Sequence, residues 1–203
     1  IQAIRDDIRI DAIKIGMLGD AAIIKTVARS LQGLACPVVL DPVMVAKGGD
    51  RLLQVQAVAA LRDILLPRAA VITPNLPEAA DLLGQPEAHN AAGMADQARA
   101  LLSLGPGAVL LKGGHLTGAD CPDLLMTSEG AEWFTAPRVA TKNTHGTGCT
   151  LSSALATWLA RGQPLSQAVM SAKRYVSGAI AGADRLSVGS GHGPVEHFNR
   201  EHR

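Results

Sequence analysis

Short apolar runs alternate along the chain with longer stretches whose apolar residues recur at helical spacing. Four runs predict strands, at 11–16, 37–43, 70–75 and 108–114. Helices are predicted between and after them, at about 20–31, 51–65, 76–83 and 90–104. A repeated order of apolar strand, crossover helix and apolar strand is typical of a parallel sheet covered by helices on both faces. The pattern therefore predicts an α/β fold.

The remaining part of the chain adds a hairpin and two helices. Residues 123–127 and 132–136 predict two strands joined by Ser128-Glu129-Gly130. Helices are predicted at about 150–160 and 166–183, followed by a Gly- and Ser-rich loop at 187–193 and a polar, peripheral end. No linker, internal repeat or low-complexity tract interrupts this order, so we expect residues 1–203 to form a single domain.

Composition excludes several classes of partner. The net charge of +1 gives no electrostatic reason to expect nucleic acid, and an aromatic content of 2% does not favour base-stacking platforms. No apolar run reaches the ~18 residues that a membrane span needs. The three cysteines lack close pairing, which argues against a disulfide framework and favours a reducing, cytoplasmic compartment. We therefore expect a small-molecule substrate.

Polar residues and glycines stand where the predicted strands end. The four strand ends carry Gly16-Met17, Asp41-Pro42, Asn75–Glu78 and Lys112-Gly113-Gly114. The carboxyl ends of parallel strands meet at one edge of a sheet, where such folds bind ligands. Carboxylates such as Asp41 and Glu78 are also the groups that bind Mg²⁺, directly or through water. The sequence therefore predicts a functional site at this edge.

The strongest chemical motif is the octapeptide NTHGTGCT at 143–150, which leads directly into a predicted helix. Glycines allow successive amides to point at one spot, and a helix start adds unpaired amides. Gly146, Thr147, Gly148 and Cys149 are therefore predicted to form an anion hole suited to a phosphoryl group. The spacing matches neither GxxxxGK[ST] nor GxGxxG. An ordinary tight loop with a buried cysteine is the structural alternative.

TKNTHGTGCTLSSALA resembles the signature of the hydroxymethylpyrimidine/phosphomethylpyrimidine kinases of the ribokinase-like superfamily. The resemblance continues through IKIGMLG, VVLDPVMVAKGGDRLL, ITPNLPEAADLLG, LLKGGHLTG and AVMSAKRYVSGAI. Most other ribokinase-like enzymes carry Asp where this chain has Cys149. The resemblance implies a three-layer α/β/α fold with a mostly parallel sheet. It also implies a cytoplasmic homodimer that uses ATP and Mg²⁺ to phosphorylate 4-amino-5-hydroxymethyl-2-methylpyrimidine and then its monophosphate.

The same resemblance assigns roles to individual residues. Cys149 with the turn 146–148 is expected to be catalytic. Nucleotide contacts are expected from Lys112, Lys173 and Thr144, pyrimidine contacts from Met17, Val43 and Cys149, and Mg²⁺ contacts from Asp41, Asn75 and Glu78. Each has an ordinary alternative: Asn75 as a turn residue, Glu78 as a favourable first-turn charge, Met17 and Val43 as core residues.

One feature of the family is missing from this sequence. Its members normally begin with a glycine-rich segment of the form GSDPSGGAGIQAD and a TAQNT-like segment, and neither is present. We therefore expect the chain to lack the family's N-terminal strand and loop. Two functional alternatives stay open, a pyridoxal kinase of the cysteine type and a truncated, non-catalytic binding module. A sugar kinase is disfavoured by Cys149.

Overall fold

The computed structural model describes residues 1–44 and 53–199, and these build a six-stranded sheet. Its strands are β1 (Ile13–Ile15), β2 (Val38–Leu40), β3 (Val71–Ile72), β4 (Val109–Lys112), β5 (Asp120–Thr127) and β6 (Gly130–Pro137). They lie side by side in chain order. The first four run parallel, and β5 and β6 are antiparallel to their neighbours. The predicted mostly parallel sheet and the predicted hairpin are both confirmed.

Seven α-helices within the described residues cover the sheet. They are α1 (Gln2–Asp7), α2 (Ala21–Ser30), α3 (Val55–Ala60), α4 (Leu76–Leu83), α5 (Ala91–Leu102), α6 (Thr147–Ala160) and α7 (Leu165–Gly182). A π-helical turn, Leu61–Leu65, continues α3, and single 3-10 turns lie at Leu66–Arg68 and Ala183–Arg185. None of the described helices is both long and apolar enough to cross a membrane.

Two apolar clusters fill the space on opposite faces of the sheet. In β2, Leu40 packs with residues of α2 to α5, whereas Val39 packs with Leu155 of α6 and Val176 of α7. Successive strand residues point to opposite faces, so this alternation places one helix layer on each side. The three-layer α/β/α architecture is therefore confirmed.

Local chemistry explains where the helices next to the site begin. The side chain of Asp20 caps α2 by accepting a hydrogen bond from the Ile23 amide, at 2.8 Å. At α4, Asn75 and Glu78 form a reciprocal capping box, and Gly84 ends the helix with a φ of 62°. The predicted bounds of α4 are confirmed because these signals stand at both of its ends.

Other predicted bounds are corrected. Helix α6 begins at Thr147 rather than 150, because Gly146 adopts a left-handed conformation and serves as its N-cap. The strand predicted at 70–75 is regular only at Val71–Ile72. The helix predicted from 51 is seen from Val55, and residues 51–52 lie outside the described residues.

The prediction that the last ten residues are peripheral is wrong for three of the residues described there, and residues 200–203 lie outside the described residues. Val195, Glu196 and Asn199 are buried against α7. Two glycines of that helix make this close approach possible. A Cβ added at Gly178 would lie 2.6 Å from Asn199 Oδ1, and one at Gly182 would lie 3.1 Å from the Glu196 side chain.

Candidate active site

Asp41 stands directly after β2 with its carboxylate on the α6 face of the sheet. Only 1% of the residue is exposed. Oδ1 accepts hydrogen bonds from Thr73 Oγ1 and from Lys112 Nζ, each at 3.0 Å, and Oδ2 accepts one from Ser152 Oγ at 3.3 Å. Three partners from separate parts of the chain therefore fix this carboxylate.

Lys112 is the last residue of β4, and its ammonium group lies between two carboxylates. Nζ is 3.0 Å from Asp41 Oδ1 and 3.9 Å from Glu78 Oε2. Burial alone would lower the pKa of Lys112. Attraction to Asp41 and Glu78, together with the hydrogen bond to Asp41, outweighs burial and raises that pKa above 10.5. Lys112 is therefore a fixed positive charge at neutral pH.

Glu78 and Asn75 are held by α4. Glu78 Oε2 accepts from the Asn75 amide at 2.7 Å, and Asn75 Oδ1 accepts from the Glu78 amide at 2.8 Å. Burial raises the pKa of Glu78 above 4.5, although Lys112 and the Asn75 amide act in the opposite direction. The Asn75 side chain thus caps α4. Its predicted contact with Mg²⁺ stays a prediction.

The turn at 146–149, which is predicted to form an anion hole, leads directly into α6. Gly146 has a φ of 82°, which favours glycine. The Thr144 carbonyl accepts from Thr147 Oγ1 at 2.8 Å and braces the turn. Within the described residues, the amides of Gly148 and Cys149 donate to no acceptor, as expected for the first turn of a helix. Two adjacent amides are therefore available to an anion.

The turn and the charged cluster meet at Gly148. A Cβ added to this glycine would lie 3.2 Å from Lys112 Nζ and 3.9 Å from Asp41 Oδ2. Ser152, one turn further along α6, links the same parts, since its hydroxyl lies 3.1 Å from the Gly148 carbonyl and 3.3 Å from Asp41 Oδ2. The start of α6 and the Lys112 ammonium group therefore lie side by side in one site.

Cys149 is exposed beside this junction. It stands at one end of a cavity of about 600 Å³ along the outer face of α6, which is also lined by Trp158, Tyr175 and His197. Neither Met17 nor Val43 lines that cavity. Met17 follows β1 and is 54% exposed, and Val43 is partly buried two residues after Asp41. Their predicted contact with the pyrimidine stays a prediction.

Lys173, predicted to contact the nucleotide, is tied to another part of the chain. Its ammonium group donates to Asp123 Oδ2 at 2.6 Å and to the Cys121 carbonyl at 2.8 Å. Asp123, Thr73 and Ser152 were not singled out from the sequence. Their positions resemble those of ordinary strand and helix residues, so only the fold reveals their contacts with site residues.

Asp41 and Glu78 fit the requirements of Mg²⁺ as an incomplete set of ligands. Mg²⁺ prefers oxygen ligands and is usually bound through one or two carboxylates together with water and substrate phosphates. Among the described residues, no group of three or more His, Cys, Asp and Glu side chains could hold a metal ion by itself. The two carboxylates therefore suit a metal ion that arrives with a nucleotide.

The family model described as Phosphomethylpyrimidine kinase matches residues 1–196. The hydroxymethylpyrimidine/phosphomethylpyrimidine kinase of Escherichia coli is 53% identical over 98% of this chain and 75% of its own length. An ADP complex of Bacillus subtilis pyridoxal kinase is 36% identical with a TM-score of 0.89, covering 97% of this chain and 73% of its own.

A phosphomethylpyrimidine kinase structure from Clostridium difficile is 37% identical, with a TM-score of 0.76. It covers 88% of this chain and 73% of its own. The match to the family model and the identity to the Escherichia coli kinase both point to the same family. This chain belongs to the phosphomethylpyrimidine kinase family.

Proposed function

We propose that this chain is an ATP-dependent kinase that phosphorylates 4-amino-5-hydroxymethyl-2-methylpyrimidine and then its monophosphate, as a step of thiamine biosynthesis. One observation carries the proposal: the amides at 148 and 149, which have no acceptor among the described residues, begin a helix whose Gly148 lies against Lys112 and Asp41. Phosphoryl transfer depends almost entirely on positioning and on neutralising charge, and this junction supplies both. The pyrimidine acceptor is inferred from the similarity to the hydroxymethylpyrimidine/phosphomethylpyrimidine kinase of Escherichia coli.

Each part of the junction has a distinct task in this mechanism. The amides of Gly148 and Cys149 bind the oxygens of the migrating phosphoryl group, and Lys112 neutralises charge on the nucleotide phosphates. Asp41 and Glu78 would hold Mg²⁺, which when bound neutralises phosphate charge. Thr144 would contact the nucleotide, and Met17 and Val43 the pyrimidine ring. We further propose that the protein acts as a single-domain, cytoplasmic homodimer.

Cys149 assists the first of the two transfers. The acceptor oxygen forms a bond to the γ-phosphorus, the bond from that phosphorus to the bridging oxygen breaks, and ADP leaves. The hydroxyl proton passes to the Sγ of the Cys149 thiolate, which thereby becomes a thiol. In the second transfer the acceptor is a phosphate anion, which needs no strong base. A thiol in the place where most related enzymes carry Asp is therefore chemically tolerable in this second transfer.

Replacing Cys149 by Ala tests this role. We expect the turnover number with the pyrimidine alcohol to fall by about 100-fold or more, because general-base assistance is lost. With the monophosphate we expect a loss of less than about 10-fold. Coupled measurement of ADP release with each acceptor gives both rates, and Cys36→Ala serves as the matched cysteine control. Equal losses in both steps would contradict the role as base.

A pyridoxal kinase is the second candidate, favoured by the TM-score of 0.89 to the Bacillus subtilis enzyme. Pyridoxal is also a hydroxymethyl heteroaromatic compound, so the same junction could serve it. Parallel assays with pyridoxal, the pyrimidine alcohol and its monophosphate separate the two. A kcat/KM at least tenfold higher with the pyrimidines supports our proposal, and the reverse order overturns it. ATP consumption with none of the three would leave a nucleotide-binding module.

A further inference from the structure

Asp123 is a buried carboxylate that connects two residues near the junction. It lies opposite Lys112 in the antiparallel pairing of β4 with β5. Its Oδ1 accepts from the Gly113 amide at 3.1 Å, and its Oδ2 accepts from Lys173 Nζ at 2.6 Å. Asp123 is 7% exposed and the Lys173 side chain 12%. One carboxylate thus bonds the residue that follows Lys112 and a lysine of α7.

The main chain at Gly113 leaves the sheet under tight constraint. A Cβ added here would lie 2.0 Å from the Pro122 carbonyl oxygen, which no side chain could tolerate. The Lys112 amide still donates to the Pro74 carbonyl at 2.9 Å, so the strand is paired up to that point. Beyond it, the Gly113 amide depends on the Asp123 carboxylate. The Lys112–Gly113 peptide, which follows the last paired amide of β4, is therefore held by the Asp123 carboxylate.

We propose that Asp123 and Lys173 form a positioning pair that holds the Lys112–Gly113 main chain and, through it, the Lys112 ammonium group between Asp41 and Glu78. This inference rests on the proposed function, because it assigns Lys112 to the nucleotide phosphates. It gives Lys173 an indirect role: this lysine acts through Asp123 and not through a contact with the nucleotide.

The charge of Lys173 is needed because Asp123 lies close to Lys112. Without a cation of its own, a buried carboxylate at this place would attract the Lys112 ammonium group away from Asp41. Lys173 neutralises it and also fixes the start of β5 through the Cys121 carbonyl. Asp123 is therefore neutralised by Lys173, and Lys112 stays paired with Asp41 and Glu78.

A double-mutant cycle with Asp123→Asn and Lys173→Gln tests the pair. We expect each single substitution to lower kcat/KM for ATP by about 10- to 100-fold, because each leaves a buried charge without its partner. The double variant, which removes both charges, should lose no more than the worse single variant. If Lys173 instead contacts the nucleotide independently of Asp123, the two losses multiply, and that result overturns the proposal.

Lys173→Arg provides a second measurement that does not depend on a variant folding poorly. Arginine preserves the charge and can pair with Asp123, so we expect kcat/KM within about threefold of the wild type. A loss as large as that of Lys173→Gln would contradict the pair. Thermal unfolding of every variant separates lost stability from misplacement of Lys112. The exposed ion pair of Asp96 with Arg99, changed to Asn and Gln, is the matched control.

Affinity for ADP, measured by calorimetry, distinguishes failure of this inference from failure of the proposed function. ADP binding requires no acceptor, so the cycle can be read even if the wild type phosphorylates none of the three compounds. Non-additive losses of ADP affinity support the pair in either case. Unchanged ADP affinity in all variants, together with unchanged kcat/KM for ATP in an active enzyme, would refute it.

Discussion

The charged cluster of Asp41, Glu78 and Lys112 and the turn at 146–149 meet in one site but are built in opposite ways. The cluster brings together side chains from two strand ends and a helix, and its central ion pair joins residues 71 positions apart. The turn consists of four consecutive residues that offer backbone amides, with the Cys149 side chain exposed. One region depends on the whole sheet, the other on local backbone conformation.

The two regions therefore differ in what they cost the folded protein. Buried charges lose their hydration. Attraction within the cluster outweighs this loss at Lys112 but only partly offsets it at Glu78, whose pKa is raised. The turn needs one left-handed glycine and leaves amides that water can reach in the absence of an anion. Loss of Lys112 from the cluster should reduce stability and activity together, whereas damage to the turn should mainly reduce activity.

The largest effect is expected for Lys112→Met. This substitution leaves Asp41 and Glu78 buried side by side without their cation, which should lower the free energy of unfolding by about 3–5 kcal/mol. It also removes a charge from the phosphate site, and we expect kcat to fall by about 100- to 1000-fold. Urea unfolding and coupled ADP release measure the two effects. Lys25→Met, on the exposed face of α2, is the control.

If Lys112→Met kept the stability of the wild type while losing activity, the ion pair would contribute nothing to folding. The charged cluster would then not differ from the turn in its effect on the free energy of unfolding. If Lys112→Met were destabilised but kept its activity, Lys112 would have a purely structural role.

The next largest effect is expected for Gly146→Ala. An alanine at a φ of 82° costs about 1–2 kcal/mol of backbone strain. If the turn relaxes, the amides of Gly148 and Cys149 are displaced, and we expect kcat to fall by about 100-fold. Gly162 offers a matched control, because its φ is 77° and, as at Gly146, an added Cβ would meet nothing within 4 Å. Gly162→Ala should cost similar stability but leave kcat unchanged. Equal losses of kcat would contradict the anion hole.

The same contrast explains how much could be predicted from the sequence. The turn was identifiable because glycine spacing and a following helix are adjacent in the chain, although its helix starts at Thr147, three residues earlier than predicted. Placing Asp41, Glu78 and Lys112 at strand ends was sufficient to predict their proximity. The order of parallel strands brings such ends together.

Contacts that depend on side-chain packing could not be predicted. Ser152 bonds Asp41 across 111 positions, and Asp123 reaches Lys173 across 50. Neither residue has a local pattern that sets it apart. The capping box can be predicted from the three-residue spacing of Asn75 and Glu78. The same two residues therefore have a structural role at the start of α4 as well as the proposed contact with Mg²⁺.

The smallest effect is expected for Glu78→Gln, measured as stability against pH. The pKa of Glu78 is raised in the folded state, so as pH increases the unfolded chain loses this proton first. Above about pH 4.5 the unfolded state therefore binds fewer protons, and the wild type loses stability until pH passes the raised pKa. Glutamine cannot ionise, yet its carbonyl can still accept from the Asn75 amide.

We expect Glu78→Gln to match the wild type near pH 4 and to exceed its free energy of unfolding at pH 7–8, while losing kinase activity. Urea unfolding at several pH values measures this difference, with exposed Glu87→Gln as the control. A wild type that becomes more stable than the variant as pH rises would show that attraction to Lys112 outweighs burial. A gain in stability together with a loss of activity would mean that the cluster retains a charge unfavourable to folding because phosphoryl transfer needs it.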